Sequence, residues 1–116
     1  MKHNETDLLH LFIERAPFVL PRVRVFRRNI VNTISVHGFH ARNGIAGQAD
    51  AYALVQGGRH IEIETKAATR LRKAQEAWRD FCDGWGVKYL VLRAQKSESA
   101  HDTVERWCGE LAEVVR

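Results

Sequence analysis

The chain has 116 residues, 45% of them hydrophobic and 28% charged, and carries a formal net charge of +4. That length suits one domain with a core of its own, and the composition excludes a disordered or collagen-like chain. The basic balance favours a polyanionic partner, and the longest apolar runs are too short to cross a bilayer.

Cys82 and Cys108 fall on apolar positions of predicted helices without metal-type spacing, so they read as buried thiols in a reducing compartment. No signal peptide, repeat or linker is legible, and without secretion the acceptor pattern Asn4-Glu5-Thr6 carries no meaning. The expectation is a single cytoplasmic domain over residues 1–116.

Asn4 is a credible N-cap for a helix from Glu5 to about Ala16, ending before Pro17. Its stripe is Leu8, Leu9, Phe12, Ile13 and Ala16. Glu5 precedes the two leucines by three and four residues and so points to the same inward side. The helix dipole alone also favours an acid there. A β-type run from about Val23 to Val31 follows Pro21 and is crowded with Arg22, Arg24, Arg27 and Arg28. Arginines so placed can line a phosphate path, or they can blunt an edge strand against pairing. Residues 32–46 read as a loop. His37 and His40 within it lack a third ligand and are expected to be exposed and ordinary.

The most informative stretch runs from Gly47 to Lys66. Two β-type runs flank Gln56-Gly57-Gly58 and predict a hairpin. Along the second run, Ile61, Ile63 and Thr65 share one face, while His60, Glu62, Glu64 and Lys66 share the other. Glu64 and Lys66 therefore project side by side about 7 Å apart, and the paired strand can bring Asp50 alongside. Two carboxylates and an ammonium at one point suit a hard divalent cation and phosphate chemistry. The same pattern also describes the solvated face of an edge strand.

Thr69 is placed to cap a helix reaching about Asp83, with Leu71, Ala74, Trp78, Phe81 and Cys82 as its stripe. Gln75 lies on that stripe, where an amide needs a hydrogen-bond partner. Arg70, Arg72 and Lys73 oppose the helix dipole in the first turn and suggest an external anion. Gly84 and Gly86 end the helix. Val87 to Leu92 reads as a strand buried on both faces. Ser99 with Asp102 resembles a capping box for a last helix, whose stripe is Val104, Trp107, Cys108, Leu111, Val114 and Val115. Trp85, in a Gly-Trp-Gly turn, either lids the core beside Phe81 or marks a contact surface.

This αβββαβα order, with its acidic stretch on strands two and three, resembles the PD-(D/E)xK nucleases. Within them it is most similar to the virus-type replication-repair nuclease (VRR-NUC) domain, over nearly the whole chain. Gly47-Gln48-Ala49-Asp50 stands where that family has Gly-x-Pro-Asp, with Ala49 as the departure from proline. Ile61-Glu62-Ile63-Glu64-Thr65-Lys66 matches its apolar-Glu-x-Lys strand, and Gln75 the glutamine of its next helix. Glu5 corresponds to the acid of its first helix, and Arg27 or Arg28 to a basic residue of its first strand.

The resemblance implies a restriction-endonuclease-like α/β fold, with a central mixed sheet flanked by helices. It also implies that Asp50, Glu64 and the backbone carbonyl of Thr65 bind Mg²⁺ or Mn²⁺. Lys66 would position the attacking water, Glu5 would act on a metal-bound water or a second ion, and Gln75 would orient the cluster. Arg24, Arg27, Arg28, Arg70, Arg72 and Lys73 would meet DNA. Standalone members of this size are phage proteins resembling Holliday-junction resolvases and flap nucleases, which makes a homodimer on branched DNA the expected assembly. Two other readings are an archaeal-type resolvase or nicking enzyme of the same superfamily, and a catalytically silent DNA-binding subunit.

Overall fold

The computed structural model describes residues 5–28, 32–34, 40–42 and 45–116, the two short stretches through their backbone. Asn4, His37, the side chain of His40 and any continuation of the first strand through Val31 lie outside the described residues.

The elements in chain order are α1 (Glu5–Val19), β1 (Val23–Arg27), β2 (Asn32–Ile34), β3 (His40–Arg42), β4 (Ala51–Val55), β5 (Arg59–Lys66), α2 (Lys73–Gly84), β6 (Lys88–Arg93) and α3 (Ala100–Val115). The main sheet is mixed, with order β1-β4-β5-β6. β1 and β5 run antiparallel to β4, whereas β6 lies parallel to β5 after the crossover through α2. The chain is therefore α/β, and its main-sheet elements keep the αβββαβα order. β2 and β3 form a separate antiparallel hairpin between β1 and β4.

The alternation in β5 explains how the layers assemble. Ile61 and Ile63 face α1 and α3 in the core cluster, together with Leu8, Leu9, Phe12, Ala53, Leu92, Val104, Trp107 and Leu111. Phe12 and Trp107 meet edge-to-face, with ring centroids 5.8 Å apart and planes at 88°. Their fit joins α1 to α3. Arg106 fixes α3 further by reaching Glu98, Glu110 and the carbonyl of Arg93.

Five expectations need correction. α1 continues through Pro17 to Val19. Proline removes one N–H, and so close to the C-terminal end that loss does not stop the final turn. Residues 32–46 contain the β2–β3 hairpin and are not all loop. α2 starts at Lys73 with Arg72 as N-cap, so Thr69 is not its cap. Of its stripe only Cys82 is buried, together with Gln75, while Phe81 lies exposed. β6, expected to be buried on both faces, is an edge strand in which only Leu92 is fully buried.

The last helix matches its pattern. Ser99 accepts a hydrogen bond from the Asp102 amide, and Val104, Trp107, Cys108 and Leu111 are buried. Cys82 and Cys108 are free, buried thiols. No helix among the described residues is long and apolar enough to cross a membrane.

Phe12→Ala deletes a fully buried ring and its contact with Trp107. The expected loss is about 3–4 kcal/mol of unfolding free energy, read by urea titration, with the tryptophan signal and the helical signal falling together.

Candidate active site

β5 is covered on both faces, so the acids of its polar face are carried into the interior: Glu62 is 1% exposed and Glu64 5%. A carboxylate there needs hydrogen bonds or a counter-charge, or it keeps its proton. The two glutamates meet this demand in different ways.

Glu62 is fully satisfied. Arg28 grips it with two bonds, Nη1 to Oε1 at 2.7 Å and Nη2 to Oε2 at 2.9 Å. The Trp78 indole donates to Oε1 at 2.8 Å, and the His60 Nε2 meets Oε2. Burial pushes this carboxyl upward, but the bonds from Arg28, His60 and Trp78 outweigh it and hold the pKa below the ordinary value. Glu62 is a structural anion.

Glu64 is left chemically poised. Register sets Ala51 opposite Ile63, which brings Asp50 opposite Glu64 at the mouth of the hairpin. Glu64 Oε1 accepts from the Gln75 amide at 3.0 Å, and Oε2 from the Asp50 backbone N–H at 3.3 Å. Burial first, then the Asp50 charge, raises its pKa to about 7, against the opposing pull of the Asp50 amide, Lys66 and Arg72. Asp50 is raised as well, by burial and by the charge of Glu5. The bonds from Thr65, hydroxyl to Oδ2 at 2.6 Å and amide to Oδ1 at 3.2 Å, work against that rise.

Two helix starts frame the pair. Glu5, in the first turn of α1, accepts from the Ala67 amide at 2.8 Å, just beyond the end of β5. Gln75, in the first turn of α2, turns its carbonyl oxygen to the Arg72 amide at 2.8 Å, which leaves its NH₂ for Glu64. Arg93 holds the intervening loop through the carbonyls of Ala67 and Thr69. Gly47 allows the approach to Asp50. It has φ +81°, and a Cβ on it would come within 2.1 Å of the Ala74 carbonyl oxygen. Any side chain there would push the 47–50 segment off α2.

The structure therefore brings Asp50, Glu64, Thr65, Lys66, Gln75 and Glu5 to one end of the sheet. With Glu5 turned to Ala67, the described residues offer a pair of carboxylates and no group of three acidic ligands. The donor set, two carboxylates and the backbone of β5, suits a hard divalent cation. Both carboxyls are raised by burial and at least one by its neighbour's charge, a cost that a cation between them would relieve. The fit is good.

The arginines are distributed otherwise than expected. The pleat sends Arg24 and Arg28 to the α2 face of the sheet and Arg27 to the opposite face, where its Nη1 lies 3.4 Å from His10 Nε2. Arg28 is turned inward to Glu62 and the Ala49 carbonyl, so its bidentate fork is not offered to a phosphate. Arg70, Arg72 and Lys73 are exposed before and at the start of α2.

Sequence reasoning missed the roles of Glu62, His60 and Trp78. The available signal was an acid two residues from Glu64 on a strand followed directly by a covering helix. It also missed Tyr89, opposite Glu62 on β6, whose buried hydroxyl has no partner among the described residues. Burial, then the charges of Glu64 and Asp50, pushes that phenol upward and keeps it protonated. Neither a family model nor a curated protein matches the chain.

Two outcomes follow from these electrostatics. Arg28→Met strands a buried carboxylate and should cost about 3–5 kcal/mol in urea titrations at neutral pH. The second concerns Glu64, whose folded-state pKa of about 7 lies above its ordinary 4.5, so the folded chain binds this proton more tightly than the unfolded one. Stability from this group is complete below about pH 4.5 and is lost as pH rises to 7, by on the order of 3 kcal/mol. In metal-free buffer, Glu64→Gln should flatten that part of the stability–pH curve relative to wild type.

Proposed function

We propose that this chain is a metal-dependent DNA endonuclease of the VRR-NUC type, hydrolysing phosphodiester bonds in branched DNA such as a four-way junction or flap. The observation that carries the reading is the Asp50–Glu64 pair: two adjacent carboxylates with raised pKa, one of them fixed by Gln75, beside Lys66. A purely structural acid would be charge-compensated as Glu62 is, by a half-buried arginine.

In this reading Asp50, Glu64 and the backbone carbonyl of Thr65 hold Mg²⁺ or Mn²⁺. When bound, such an ion stabilises charge on the phosphate and lowers the pKa of its water. The chain's own groups do the rest. Gln75 holds Glu64 by one oxygen and limits its rotation. Thr65 holds Asp50 by both oxygens. The Lys66 ammonium orients the attacking water and offsets negative charge as the in-line displacement proceeds. Glu5, at the α1 N-terminus, would act on a water of the ion or on a second ion. Arg70, Arg72 and Lys73 meet flanking phosphates, and the net charge of +4 gathers DNA from solution. One such cluster cuts one strand, so symmetric cleavage of a junction calls for a two-fold homodimer.

The test is cleavage of a panel of branched and linear DNAs with Mg²⁺ or Mn²⁺. Asp50→Asn should lower the rate at least a hundredfold while preserving circular dichroism and junction binding. Cleavage near the wild-type rate by a folded Asp50→Asn protein would reject the assignment.

A further inference from the structure

The α2 face of the sheet carries more than the carboxylates. Phe26, Tyr52 and His60, one from each of β1, β4 and β5, stand in a continuous stack. Their centroids are 5.4 Å apart for Phe26–Tyr52 and 5.3 Å for Tyr52–His60, with interplanar angles of 28° and 14°. The His60 end of the stack is fixed, because His60 meets Glu62 and the Arg28 guanidinium lies 5.1 Å from the Tyr52 centroid. The outer end is Phe26, on an edge strand and 42% exposed, beside Leu54 at 46%.

A cleft of about 340 Å³ opens at this end, lined by Pro21, Arg22, Arg24, Phe26 and Leu54. Arg24 is positioned at it by Nη1 bonds to the carbonyls of Pro21 and Val23, both at 2.8 Å. An apolar ring at the end of a stack, with arginines beside it and no acid among the described residues of the lining, matches an aromatic base attached to a phosphate.

We infer that the Phe26 cleft takes an unpaired base of a DNA strand, which stacks on Phe26 as the next ring of the series while Arg22 and Arg24 hold its phosphates. A second copy of the chain is the poorer occupant, since a two-fold contact here would set arginines against arginines. The placement also has a direction. Tyr52 lies two residues from Asp50 on β4, and its partner Glu62 lies two residues from Glu64 on β5. Tyr52, the middle ring of the stack, is therefore about 7 Å from Asp50 along one sheet face. The proposal deepens the nuclease reading and rests on it for its choice of DNA as partner.

The experiment uses metal-free protein and a fluorescent oligo(dT), with a blunt duplex as comparison. Phe26→Leu keeps the apolar packing of the sheet face and removes the ring, and Phe26→Trp restores one. The expected result is about tenfold weaker oligo(dT) binding for Phe26→Leu, recovery in Phe26→Trp, and duplex binding unchanged in both. Arg24→Gln should lower the slope of binding against salt for oligo(dT). Equal oligo(dT) affinity in wild type and Phe26→Leu overturns the inference. So does sedimentation showing that Phe26→Leu converts a dimer to a monomer, which assigns the face to a second copy. Cleavage is measured separately. An inert protein that binds oligo(dT) through Phe26 rejects only the nuclease, and a nuclease indifferent to Phe26 rejects only the stacking site.

Discussion

The whole arrangement depends on covering both faces of β5. Ile61 and Ile63 anchor one face against α1 and α3, so α2, in crossing to β6, closes over the other. That second face holds Glu62 and Glu64, and closing it forces each carboxylate to find a solution away from water. Glu62 takes an arginine, an indole and an imidazole. Glu64 takes only amides and the edge of two positive fields, so its charge remains incompletely compensated. One strand thus carries a silent acid and a poised one, two residues apart. The difference lies in what the neighbouring strands and helix deliver to each, since the side chains are identical.

Much of this was legible because strand alternation is a local rule. The Gln56-Gly57-Gly58 break, with φ +104° and +101° at the two glycines, sets the hairpin, and the hairpin sets Asp50 against Glu64. The inward amide at Gln75 could be read from its stripe, since a buried amide requires a partner. The interior anchors of α1 and α3 were legible too, because their stripes are unbroken. Less legible was anything decided by a distant partner. Arg28 reaches Glu62 across 34 positions, and no local pattern distinguishes it from Arg24. The start of α2 was misread for a related reason. Thr69 is the better local cap, but Arg93 holds the loop by the carbonyls of Ala67 and Thr69, and the helix begins only after that anchorage.

The aromatic residues show the same limit. Trp78 and Phe81 fit a helix stripe, but the stripe faces a sheet row already occupied by Arg28 and Glu62. Trp78 is only half-buried, giving its N–H to Glu62 and stacking on the exposed Phe81, against which Trp85 lies tilted and 74% exposed. Periodicity predicts which residues share a side of a helix. It does not predict whether the opposing surface is deep enough to receive them.

The hairpin has a further consequence, in the order of assembly. Asp50 and Glu64 are 14 residues apart and meet through a short turn, a cheap closure that depends on no other element. The contacts that enclose them come from outside the hairpin, from Gln75 of α2 to Glu64 and from Glu5 to Ala67 across 62 positions. Closures of that length are slower to form than the hairpin. The isolated hairpin would hold two ordinary, hydrated acids side by side, which repel each other weakly across water. The raised proton affinity of Glu64 therefore belongs to the closed sheet face, and it reports, as a chemical property, that α2 has arrived.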